Sequence, residues 1–127
     1  MSELKRDPIK YIRDRAKTNY EKGSSCEICD AGENLDFHHY YTLAPLLHKW
    51  LKEKKKIDSE YYSENSVVAW RDEFIQDNWQ ELYNDTVTIC HNHHLKLHSI
   101  YGRNPPLHTA KKQMRWVEIQ REKHGMV

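Results

Sequence analysis

Phenylalanine is almost missing from this chain, with two residues in 127. Four Trp and eight Tyr must supply much of the bulky apolar surface of any core. Long apolar runs are missing too, so nothing in the sequence reads as a membrane span. The N-terminal stretch "MSELKRDPIKYIRDR" is charged where a secretory signal would carry an apolar segment. Both absences point to a reducing cytoplasm and to no membrane partner. Cysteine is scarce and odd in number, at three. An odd set cannot close into intramolecular disulfides alone, and a reducing compartment would not keep them closed. Metal ligation is the better use for these thiols.

A strong net charge is also lacking: the formal value is +1. Its distribution is more informative. The segment to Lys22 is basic (Lys5, Arg6, Lys10, Arg13, Arg15, Lys17), and so is the segment after His98 (Arg103, Lys111, Lys112, Arg115, Arg121, Lys123). Between Asp58 and Asp85 the chain is acidic, with Arg71 its only cation. Two basic ends around an acidic middle suit either an anion-facing side or plain solvated helix faces.

The length, 127 residues, suits one domain spanning 1–127, and there is no repeat or linker. Pro8 fits the first turn of a helix. Ile9, Ile12 and Ala16 continue it at helical spacing to about Tyr20, and Gly23 is expected to end it. "LDFHHYY" is strand-compatible. Pro45 is expected to open a second helix with Leu46, Leu47, Trp50 and Leu51 as its stripe. A third should cover part of Ser66 to Tyr83, with Val67, Trp70, Phe74, Ile75, Trp79 and Leu82 near one face and the tryptophans packed in the core. "TVTIC" reads as a second strand. "NHHLKLHSIYG" reads as a short helix with Asn92 as its cap and Gly102 as its stop. After "RNPP", Thr109 to about Lys123 should form a last helix, with Met114, Val117 and Trp116 turned inward.

The ligand-type residues lie in two places. Cys26-x-x-Cys29 is half of a zinc knuckle, and Cys90-x-x-His93 is a suitable second half, because structural zinc takes thiolates and imidazoles tetrahedrally. The halves are about 60 residues apart, so the alternative is buried reduced thiols and a surface His. Four further histidines form two pairs. His38 and His39 are adjacent in or beside a strand, so they point opposite ways: one can ligate while the other faces substrate. His94 and His98 are four apart and share a helix face. Each pair alone could be packing and hydrogen bonding, with His98 a cation at a helix C-terminus.

Taken together, "CEIC…LDFHHYYTL…DTVTICHNHHLKLH" resembles the HNH endonuclease family, of the zinc-containing kind common in phages and restriction systems. The match covers Cys26 to Tyr41 and Asp85 to His98. The resemblance implies an α+β fold. Its core would be a small ββα-metal unit with a structural zinc knuckle, carrying helical additions at 1–22, 42–84 and 103–127. It implies His39 as general base and His38, His94 and His98 as ligands of a catalytic divalent metal. Cys26, Cys29, Cys90 and His93 would hold structural Zn2+, the last being His where Cys is commoner. The family's middle Asn aligns with Asp85, one residue after Asn84, and Asp could orient the histidine strand as an acceptor. About 50 residues separate His39 from Cys90, far more than a compact member needs, so 42–84 reads as an insertion.

The implied activity is hydrolysis of phosphodiester bonds in DNA, expected to be double-stranded, to 5′-phosphate and 3′-hydroxyl ends in a bacterial host cell. Three imidazoles suit Mn2+, Ni2+ or Zn2+ better than Mg2+, although relatives use Mg2+. One such site cuts one strand, so double-strand cleavage would require a homodimer or two visits. Two other readings stand beside this one: a non-catalytic zinc module that binds DNA or protein, and a nuclease of the same design acting on RNA.

Overall fold

The computed structural model describes residues 8–54 and 64–126. Lys5, Arg6 and the acidic residues 58, 60 fall outside them. The fold is α+β: a two-stranded antiparallel sheet among helices. No described helix is long and apolar enough to cross a membrane.

Helix α1 runs Pro8–Ala16. Ile12 and Ala16, one turn apart, are both fully buried. The helix tightens into a 3-10 turn at Lys17–Asn19 and stops there, with Tyr20 extended. Gly23 therefore does not end it. The Thr18 hydroxyl donates to the Arg15 carbonyl, the local competition by which Ser and Thr disturb a helix. Gly23 instead approaches the sheet, where its N–H donates to Thr88 Oγ1 at 2.8 Å.

Strand β1 is Leu35–His39 and β2 is Thr86–Cys90, with Leu35 opposite Cys90 and His39 opposite Thr86. Helix α2, Leu43–Glu53, begins two residues before Pro45, which sits in the first turn, where its missing N–H has no intrahelical acceptor to lose. Leu43, Leu46, Leu47, Trp50 and Leu51 are all buried. Their i, i+3, i+4, i+7, i+8 spacing makes one continuous stripe, and each such side chain contributes roughly 1.5–3 kcal/mol on burial.

Helix α3, Glu64–Asp77, packs on α2 and α1 through Val67, Trp70 and Phe74. The indole N–H of Trp50 donates to Asp77 Oδ2 at 2.8 Å. Past Asn78 the backbone widens into a π turn, Gln80–Asn84, closed by Asp85 N–H to Gln80 O. Leu82 N–H bonds Asn78 O at 2.9 Å, so Leu82 continues the line of Phe74 and Asn78 inward and is fully buried, while Trp79 stays outside. Trp79 is 40% exposed and lies against Tyr83, centroid to centroid 4.2 Å, so the expectation that it packs in the core is wrong.

Helix α4 is His91–Tyr101. It starts one residue before Asn92, which is exposed and is not the cap; Cys90 holds that position without a side-chain bond. Gly102 ends it at φ 95°, a conformation that costs other residues strain. Helix α5, Ala110–Lys123, follows a 3-10 turn at Leu107–Thr109 and buries Ala110, Gln113 and Val117, with Met114 and Trp116 half-buried.

Two apolar clusters result. One joins α1, α2, α3 and Leu82; the other joins the Cys26 loop, the sheet, α4 and α5. Tyr41 packs against both.

Candidate metal centres and cleft

The Cys26–Cys29 turn is folded by backbone bonds from Asp30 N–H to Cys26 O and from Cys26 N–H to Ala31 O, each 2.8 Å. Asp30 takes a left-handed conformation, φ 62°, which Asp tolerates better than most residues. The turn helps Cys26, Cys29, Cys90 and His93 place their ligand atoms within 4.8 Å of one another. Cys29 Sγ lies 3.9 Å from Cys90 Sγ. This is far beyond a disulfide and close to the roughly 3.8 Å that two thiolates subtend on tetrahedral zinc. His93 Nδ1 lies 3.2 Å from Cys90 Sγ and 4.0 Å from Cys26 Sγ. Burial pushes the Cys26 thiol up, but the backbone at Cys29, Cys90 and Ile28 outweighs it and holds the thiol below its usual range. The four residues can therefore hold a metal ion. Their donors, cysteine sulfurs joined by an imidazole nitrogen, fit zinc.

His93 and His94 are neighbours on α4 and serve different groups. With 3.6 residues per turn they diverge by about 100°. His93 and Leu97 face the thiols and the sheet core, whereas His94 and His98 face the end of β1. There the inward nitrogens of His38, His94 and His98 converge, again within 4.8 Å. His94 Nε2 is 3.1 Å from His38 Nδ1 and 2.9 Å from His98 Nε2.

Each of the three rings has its other nitrogen engaged. His94 Nδ1 lies 3.0 Å from the Asp36 carboxylate, His98 Nδ1 2.8 Å from the Gly102 carbonyl, and His38 Nε2 2.8 Å from Gln113 Oε1. Carboxylates and carbonyls only accept, so each outer nitrogen carries the N–H. The inner nitrogens are then three lone pairs aimed at one point. Lone pairs do not hydrogen-bond to one another, so this spacing calls for a cation. Protonation of His38 or His94 is disfavoured. Burial drives His38 down to about 3, with His94 and His98 adding to the fall against the Gln113 bond, and burial also lowers His94 against the pull of Asp36. Two nitrogens at right angles on a metal with bonds of about 2.1 Å stand about 3.0 Å apart, so the residues fit a divalent ion.

Strand alternation explains the local design. Asp36 and His38, two apart, project from one face of β1 and grip His94 from both sides. His39 projects the other way, beside Phe37, with its ring 4.8 Å from that of Tyr20. It is hydrogen-bonded to the backbone of Leu82, in the π turn, and its Nε2 is buried without a partner among the described residues. The Leu82 bond therefore falls to Nδ1. Burial, with Arg13 adding to it, holds His39 below the usual imidazole value.

A cleft of about 300 Å³ joins these parts: His38, His39, His94 and His98 line it together with Arg13 from α1 and Arg103 after α4. The larger cleft, about 700 Å³, opens beside Cys29, Cys90 and His93 and is lined by none of the three converging histidines. Asp85 stands apart from the histidines. Its carbonyl accepts from Tyr40 N–H at 3.4 Å, and its carboxylate accepts from Gln80 Nε2 at 3.1 Å, over a different cleft. The sequence reading missed Asp36 and Gln113. Asp36 was findable, since it lies two residues before His38 on a strand. Gln113 had no local signal.

No solved structure matches this chain. The phage T5 nicking endonuclease family model matches residues 1–126, nearly the whole sequence. The chain belongs to the nicking endonuclease family.

Proposed function

We propose that the protein is an HNH-type nuclease that nicks double-stranded DNA. In this reading His39 is the general base, His38, His94 and His98 hold one catalytic divalent metal, and Cys26, Cys29, Cys90 and His93 hold structural Zn2+. The observation that carries it is the convergence of three imidazole nitrogens beside a fourth imidazole, His39, that lines the same cleft and has a nitrogen unpartnered among the described residues. The antiparallel pair β1 and β2 followed directly by α4 supports this reading.

His39 Nε2 takes a proton from water, while the Leu82 carbonyl holds the ring's other N–H and favours the imidazolium that forms. Tyr20 and Phe37 flank the ring and keep it from turning. Arg13 and Arg103 offer charged donors to phosphate oxygens. Asp85 positions the end of β1 through its carbonyl. The bound metal would relieve charge on the transition state and on the leaving 3′ oxygen. One such group per chain accords with cutting one strand, with no need of a second copy.

Supercoiled plasmid incubated with the protein and Mg2+ or Mn2+ should become open circles, and chelation should prevent it. Plasmid left intact with every divalent metal, or RNA cut in its place, would overturn the proposal.

The two arginines give a separate expectation. Arg13→Ala and Arg103→Ala should each lower kcat/KM by roughly 10–100-fold, the value of a charged hydrogen bond. Each should also flatten the salt dependence of binding by nearly one unit of slope. Arg15, paired with Asp72 at 3.1 Å, should matter less. Equal losses at Arg13 and Arg15 would move the phosphate away from the cleft.

A further inference from the structure

We infer that Gln113, on α5, is the positioning residue that commits His38 to metal binding through Nδ1; this rests on the three-histidine reading above. Gln113 is fully buried, 75 positions from His38 in sequence, with Oε1 2.8 Å from His38 Nε2.

An amide can turn end for end, so the direction of that bond has to be argued. The Thr109 hydroxyl decides it. Its one proton goes to the Pro106 carbonyl at 2.7 Å, so toward Gln113 Nε2, 2.9 Å away, it can only accept. The amide nitrogen therefore faces Thr109, and it also reaches the Tyr40 carbonyl at 3.3 Å. The amide oxygen must face His38, and His38 must carry its proton on Nε2. Nδ1 is left as the lone pair, 3.1 Å from His94 Nε2.

This chain of bonds, Pro106 to Thr109 to Gln113 to His38, sets a tautomer from outside the sheet and α4. Neutral imidazole is otherwise free to place its proton on either nitrogen, and a proton on Nδ1 would block the site. Gln113 also closes off the buried side of the ring, where its amide oxygen is the acceptor that the His38 Nε2–H would lose if the ring flipped. Partners of this kind shift metal affinity by about 10–100-fold.

The test is Mn2+ binding to the zinc-loaded full chain, since Mn2+ does not compete for a thiolate-rich group. Gln113→Leu should bind Mn2+ about 10–100-fold more weakly. Gln113→Glu keeps an acceptor for the His38 N–H and should recover most of that loss. Nitrogen-15 imidazole spectra of the protein carrying zinc at the cysteines and no second metal should show His38 as the Nε2–H tautomer in the parent and in Gln113→Glu, and as a mixture in Gln113→Leu. A merely structural glutamine would lower thermal stability without moving the tautomer. Unchanged Mn2+ affinity in Gln113→Leu, or a Glu variant no better than Leu, overturns the inference. If the parent itself binds no Mn2+, the three-histidine reading fails, and the tautomer spectra alone then uphold or overturn the hold of Gln113 on His38. Should Gln113→Leu not fold, Gln113→Glu and Gln113→Asn carry the same comparison, Asn being too short to reach the ring.

Discussion

His39→Ala should slow plasmid nicking by roughly 10²–10⁴-fold, the usual contribution of a general base, while the three-histidine group keeps its metal. The geometry separates those outcomes. His39 leaves β1 on the opposite side from His38; it bonds the Leu82 backbone, its Nε2 has no partner among the described residues, and it is not one of the three converging histidines. The pH dependence follows from the direction of the shift. Burial lowers the folded pKa of His39, and the neutral form is the active one. Activity is therefore lost as pH falls through that lowered value, so the acidic limb of kcat/KM should lie below about 6.5. His39→Ala should abolish that limb. A variant that nicks like the parent, or that loses its metal, removes the general-base role.

Removing zinc should unfold much of the protein. Structural zinc supplies about 10–16 kcal/mol of apparent binding free energy, comparable with or larger than the roughly 5–15 kcal/mol net stability of a typical domain. The thiols are embedded in the second apolar cluster with Ile28, Ile89 and Leu97, so nothing else nearby replaces their constraint. Cys29→Ser and His93→Ala should both lower the melting temperature strongly and lower the zinc content. His94→Ala and His98→Ala should fold, keep zinc and lose only the second metal. Adjacent histidines in "HNHH" thus separate a folding residue from a site residue. If His93→Ala melts normally and His94→Ala does not, the two groups have exchanged ligands. Zinc-free protein with an unchanged melting curve would remove the structural role altogether.

The site was legible in the sequence where its chemistry is local. Two cysteines three apart, a Cys and a His three apart, and histidines four apart each fix a direction through turn or helix geometry, and both groups assemble from those spacings. The strands were equally plain, because "TVTIC" alternates β-branched residues. What failed was phase and distance. Trp79 stands four residues after the buried Ile75, at the right spacing for the α3 stripe, but α3 ends at Asp77, and no residue type announces that end. Asn92 is a good capping residue, yet the helix start is set by Cys90 leaving the sheet in extended conformation. Gln113 was unreadable because its meaning depends on a ring 75 positions earlier.

That last separation has a consequence for when the protein can act. Arg13 and Gln113 lie at opposite ends of the stretch whose residues surround the cleft. Synthesis runs from the N-terminus, so the first metal-facing histidine, His38, emerges long before the segment that orients it. A chain stopped before α5 contains His38, His39, His94 and His98, yet its His38 lacks the Gln113 oxygen that holds the proton on Nε2. Under this assignment a growing or prematurely ended polypeptide binds the second metal more weakly, and full affinity is reached only when translation has passed position 113. The metal affinity on which the proposed chemistry depends is thus set late, by the order of the residues along the chain.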